Sequence, residues 1–82
     1  MMDMKHWTKF LTLELPLIGQ RRTVGSALDA LDCLTSGWRG IRGKSHRMAV
    51  NCCIAALEGD AIVERSRLAF LEAAEESDIL VY

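Results

Sequence analysis

The chain predicts an α+β fold: a three-stranded antiparallel sheet with three helices packed on one face, in the order β-β-α-α-α-β. Three observations carry that expectation. Leu11, Leu13 and Leu15 alternate with Thr12 and Glu14, the period of a strand buried on one side. Lys44 to Glu58 is apolar around most of a helical circumference, as a helix with neighbours on nearly every side would be. Ile79-Leu80-Val81-Tyr82 is a short apolar run behind the Ser77-Asp78 break, and reads as a last strand. At 82 residues there is room for one core, so residues 7–82 are expected to form a single domain behind a flexible N-terminus, 1–6.

Taken in order, the first strand runs from Trp7 to Leu15, with Trp7, Lys9, Leu11, Leu13 and Leu15 on one face and Thr8, Phe10, Thr12 and Glu14 on the other. Pro16 ends it because proline has no amide to give the ladder, and Gly19 lets the chain reverse into a returning strand, Gln20 to Val24. Leu17 and Ile18 are apolar at the turn, where they rest against the core or mark a contact surface. Ser26 followed by Asp29 has the hydroxyl-then-acid spacing of a helix start. Ala27, Ala30, Leu31, Leu34 and Trp38 line one face of that first helix, Asp29, Asp32 and Ser36 the other, and Gly37 is placed to stop it.

The second helix, Lys44 to Glu58, is read as the central one. Met48, Ala49, Val50, Cys52, Cys53, Ile54, Ala55, Ala56 and Leu57 leave only Lys44, Arg47, Asn51 and Glu58 for water. Gly59 supplies a left-handed cap, and Asp60 is the expected N-cap of a third helix from Ala61 to Glu76, antiparallel to the second because the connection is short. Ile62, Val63, Ala69, Phe70, Ala73 and Ala74 form its buried face; Arg65, Glu72, Glu75 and Glu76 form the wet one. Leu68 falls among the charges, where a partner would explain it. The expected core includes Leu11, Leu13, Leu31, Leu34, Cys53, Leu57, Phe70, Ala73 and Leu80.

Composition narrows the class. Half the residues are hydrophobic and 26% are charged, which is globular rather than disordered. No apolar run approaches the roughly 20 residues needed to span a bilayer. The first ten residues carry charge before any apolar stretch, so neither a secretory signal nor a membrane location is expected. Cys33, Cys52 and Cys53 are odd in number, and neighbours on a helix point about 100° apart, so the expectation is reduced thiols in a cytoplasmic protein. The net charge of −1 conceals a polar distribution: residues 1–57 carry eight Lys/Arg against four Asp/Glu, residues 58–82 two Arg against seven acids. Such asymmetry favours self-association or an oppositely charged partner.

Val24-x-Ser26 before the first helix, Trp38 after it, Gly43-Lys44-x-His46-Arg47 opening the second, Cys53-x-x-Ala56-Leu57-x-Gly59 closing it and Arg67-x-Ala69-Phe70-x-x-Ala73-Ala74 in the third follow a known order. Over most of residues 20–82 the chain resembles domain-of-unknown-function family 982, small proteins of alpha-proteobacteria. Where that family often has proline after the tryptophan, Arg39 stands here. The resemblance supports the architecture and brings no activity, ligand or catalytic residue.

Several constellations invite a functional reading. Gly40-Ile41-Arg42-Gly43-Lys44-Ser45 ends like a phosphate-binding loop, yet Trp38 holds the place of its first glycine and the segment follows a helix rather than a strand, so nucleotide hydrolysis is rejected. Arg39, Arg42, Lys44 and Arg47 do gather at a helix start with no acid among them, a seat for a phosphate or carboxylate; the ordinary alternative is a solvated loop, or one paired with the acidic third helix. Nucleic acid would use the same arginines but usually asks for a larger basic surface than this slightly acidic chain offers. His6, His46, Cys33, Cys52 and Cys53 lack a Cys-x-x-Cys pair, so no metal or other cofactor is expected. His46 shares a face with Val50, Cys53 and Leu57 and reads as a partly buried histidine hydrogen-bonded near the helix start; it stands about 10 Å along the axis from Cys53, too far for a nucleophile and its base. Arg67 borders a buried face, where pairing with an acid is commoner than binding substrate. The expectation is a non-catalytic cytoplasmic interaction or regulatory module, homodimeric through Leu17, Ile18 and Leu68. The alternative is an anion- or nucleic-acid-binding module that uses the basic loop 39–47.

Overall fold

The computed structural model describes residues 4–15, 20–36, 38 and 40–81, without the side chains of Leu15, Gln20 and Leu80. Pro16, Leu17, Ile18, Gly19, Gly37, Arg39 and Tyr82, on which several expectations rest, lie outside the described residues. Strand β1 (His6–Leu15) pairs antiparallel with β2 (Gln20–Ser26), setting Leu11 opposite Val24 and Leu13 opposite Arg22. Helices α1 (Ala27–Thr35), α2 (Lys44–Glu58) and α3 (Val63–Glu76) follow, so the chain is a mixed α+β protein with three helices. Leu80–Val81 runs antiparallel along the other edge of β1, pairing Leu13 with Val81 and Glu14 with Leu80. Of the run expected as a strand over 79–82, Leu80 and Val81 pair with β1, the amide of Ile79 goes instead to Ala74 O at the end of α3, and Tyr82 lies outside the described residues.

The alternation in β1 holds only at its far end. Trp7, Leu11 and Leu13 are buried, but Lys9, expected to share their face, is exposed. The pairing register shifts between His6 and Leu11, and that irregularity re-aims the side chains between them. Ahead of the strand, Lys5 O and Met4 O accept from the amides of Ala27 and Leu28, two donors that no helical carbonyl can reach. Ser26 Oγ accepts from the Asp29 amide at 3.0 Å, the cap its spacing announces. Gly59 takes the left-handed conformation (φ 84°), and its amide and that of Asp60 close the last turn of α2 on Ala56 and Ala55 carbonyls.

The middle of the core is Phe70, not α2. Its ring meets Trp7 at 5.8 Å and Trp38 at 5.9 Å between centroids, so β1, the α1–α2 connection and α3 converge on one fully buried side chain. Helices α1 and α3 rest on the strands, while α2 packs on α3 and α1. The enclosed central helix is therefore corrected. Only His46, Ala49, Cys53 and Ala56 of α2 are buried, because its small residues let α3 approach closely along one stripe; Val50, Cys52, Ala55 and Leu57 flank that stripe half-buried, and Met48 and Ile54 are exposed. Leu57 and Leu31, expected in the core, are half-buried. Helix α3 starts at Val63 with extended Ile62 as its N-cap rather than Asp60, which lengthens the connection to residues 59–62 and leaves Ile62 exposed. Trp38, expected on the face of α1, lies beyond its end and is buried between Phe70 and His46.

Candidate functional site

The start of α2 and the end of α1 border an open cleft of about 420 Å³. Leu34 and Val50 give it an apolar floor; Thr35, Arg42, His46, Arg47 and Asn51 supply its polar groups, and no carboxylate is among the lining residues. One turn of helix sets this up. His46 must turn inward beside Ala49 and Cys53, and Arg47 and Asn51, one and five positions later, then point outward along the rim. His46 is 8% exposed and hydrogen-bonded at 2.8 Å to the carbonyl of Leu34, one of the last carbonyls of α1. That contact makes Nε2 the protonated nitrogen, since a carbonyl only accepts. The ring also lies 5.8 Å from the Trp38 indole, and so ties α2 to α1 and to the loop between them.

Of the four sequence-predicted anion ligands, the cleft brings Arg42 and Arg47 together; both are exposed. Lys44 is exposed and does not line it, and Arg39 lies outside the described residues. The amino end of α2 has no side-chain cap and no acid in its first turn. It is nevertheless approached from α3: a Cβ on Gly43 would lie 3.1 Å from Glu76 Oε1, so glycine there admits a carboxylate beside the positive end of the helix. The amide of Ile41 donates to Ser77 Oγ at 2.8 Å, which pins the same loop to the end of α3. An anion is better placed in the cleft than on the helix end.

The other singled-out residues are accounted for by packing. Arg67 grips Glu64 through Nε and Nη2 at 2.7–3.1 Å, and those hydrogen bonds hold the Glu64 carboxyl below its usual range and raise the guanidinium. Burial pushes the Cys53 thiol up to about 12 and raises Cys33, so neither is a ready nucleophile. All three cysteines are free, and no group of three or more His, Cys, Asp or Glu among the described residues is arranged to hold a metal. No helix among the described residues is long and apolar enough to cross a membrane. Of the proposed interface residues, Leu68 is 48% exposed on the side of α3 away from Phe70. The sequence reading missed Met48 and Ile54, 50% and 39% exposed, because it assigned both to the interior. It also missed Ser66, a buried hydroxyl whose partner lies 59 residues away.

Comparison with curated proteins and with solved structures finds no match. A family model described as "Protein of unknown function (DUF982)" matches residues 9–81, from the first strand to the Leu80–Val81 pairing. With nearly the whole chain under that one model, the protein belongs to the DUF982 family.

Proposed function

We propose that this protein is a non-catalytic module that acts through protein–protein contact, first of all with a second copy of itself. One observation carries the reading: α2 turns His46, Ala49, Cys53 and Ala56 into its own chain but leaves two large apolar side chains, Met48 and Ile54, exposed on its outward side. A helix with that pattern is completed by a partner. Leu68 adds an exposed apolar side chain on α3, and the basic and acidic parts of the chain favour association of like molecules. The buried thiols with raised pKa and the carbonyl-bound His46 support a role without nucleophilic catalysis. Free thiols suit a reducing compartment, and we assign the protein to the cytoplasm. We also take the Leu80–Val81 pairing as the third strand of a sheet whose helices share one face. Light scattering across protein concentration tests the central point: the expected mass rises toward twice the 9.2 kDa chain, and a monomer at every concentration removes the self-association reading.

A second reading is favoured by the convergence of Arg42 and Arg47 on a cleft lined by no acid. There the module takes an anionic group, and inorganic phosphate is the simplest probe. Titration at low and high salt, with an oligonucleotide in parallel, decides it. Binding that weakens with salt and is lost in Arg42→Ala/Arg47→Ala supports the site; no binding at low salt dismisses it.

A further inference from the structure

The outward side of α2 is spaced symmetrically about Asn51, with opposite charges at its two ends. Its exposed residues are Lys44, Arg47, Met48, Asn51, Ile54 and Glu58, with Ala55 half-buried beside them. Taking Asn51 as the centre, Lys44 and Glu58 stand seven positions to either side, Arg47 and Ala55 four, and Met48 and Ile54 three. At 3.6 residues per turn these positions fall on one broad stripe opposite the buried His46, Ala49, Cys53 and Ala56. A cation opens the stripe, an acid closes it, apolar groups lie between, and an amide sits at the midpoint.

Resting on the self-association reading above, we infer that the protein dimerises by packing α2 antiparallel against α2 of a second copy, about a two-fold axis passing at Asn51. In that register Lys44 meets the partner's Glu58 at both ends of the seam. Met48 packs on the partner's Ala55 along one side, and the stem of Arg47 covers the partner's Ile54 along the other. The two Asn51 amides face each other, each able to donate to and accept from its copy. The charges choose the direction. A parallel pairing would set Lys44 on Lys44 and Glu58 on Glu58 and would align the helix dipoles, whereas the antiparallel one opposes both unlike charges and dipoles. An isologous contact of this kind closes on itself, so association stops at two. Arg47 and Asn51 also border the α1–α2 cleft, which therefore opens beside the seam.

Charge reversal tests the register, because the pattern is self-complementary. By sedimentation equilibrium at low salt, Lys44→Glu and Glu58→Lys are each expected to weaken the dimer roughly tenfold, since each turns both end contacts into like-charge pairs. The double variant Lys44→Glu/Glu58→Lys restores unlike pairs and is expected to recover most of that affinity. Met48→Glu should weaken dimerisation by about 100-fold or more, with circular dichroism unchanged because the side chain is exposed in the single chain. If the unsubstituted chain dimerises but the double reversal is as weak as the single ones, this register is overturned and self-association stands on another surface. If the unsubstituted chain is monomeric throughout, both readings fall.

Discussion

The indole of Trp7 donates a 2.9 Å hydrogen bond from Nε1 to Oγ of Ser66, and this joins the first strand to the third helix across 59 residues. Ser66 in turn donates to the carbonyl of Val63 one turn earlier, so both groups are satisfied inside the core. Because the indole has a donor and no acceptor, the hydroxyl oxygen is its one partner among the described residues.

Ser66→Ala should therefore destabilise the protein by about 1–3 kcal/mol, the cost of a buried donor without its partner. Urea unfolding followed by tryptophan fluorescence measures it. Trp7→Phe in the Ser66→Ala background removes the orphaned donor, so it should cost less than Trp7→Phe does alone. Additive losses would show that the bond carries no coupling.

Phe70→Ala should cost about 3–5 kcal/mol, because the ring is fully buried and supports both Trp7 and Trp38. Calorimetry or chemical denaturation reads the loss. Near-ultraviolet circular dichroism should lose the signal of both indoles together, whereas loss of one alone would deny Phe70 its place between them.

Ser26→Ala should cost about 1 kcal/mol, since the hydroxyl caps the Asp29 amide and the position is fully buried. Ser26→Asp, another good N-cap, should fail to rescue it, because the site has no room for a solvated charge. Equal stability of the Asp variant and the unsubstituted chain would contradict that burial.

The Cys53 thiol titrates near 12 in the folded protein, against an ordinary value of 9.0, because burial penalises its thiolate. Well below pH 9 the group is protonated in both states and adds no pH dependence. Between 9 and 12 the unfolded chain releases the proton and the folded one keeps it, so stability falls as pH rises, by at most about 1.4 kcal/mol per pH unit. Cys53→Ser should decline less steeply over that window in urea titrations at stepped pH. With a thiol reagent at neutral pH, half-buried Cys52 should react before Cys33 and Cys53. Uniform reactivity would argue against both burials.

Much of this architecture was legible locally. The bounds of α2, its left-handed Gly59 and the Ser26 cap follow from residues within one turn of each other, where helix chemistry is settled by neighbours. What local pattern could not supply is which apolar residues find a partner. Met48 and Ala49 are adjacent and equally apolar on a wheel, yet only Ala49 is small enough for the close helix contact and is buried, while Met48 stays outside. The same limit hid Trp7–Ser66, whose spacing has no local period, and misplaced the start of α3, where Asp60 is a good cap in isolation but the backbone stays extended through Ile62. The cleft was half legible. Arg42 and Arg47 stand close in sequence, whereas Leu34 and Thr35 join them only once α1 folds back on α2.

The most direct test is an isotope-filtered NMR experiment on a mixture of labelled and unlabelled chains, which reports contacts between molecules only. Antiparallel packing of α2 about Asn51 should give intermolecular NOEs from the Met48 methyl to the Ala55 methyl and from Ile54 methyls to the Arg47 side chain. Intermolecular NOEs confined to other surfaces, or none at concentrations where the protein is dimeric, would contradict it.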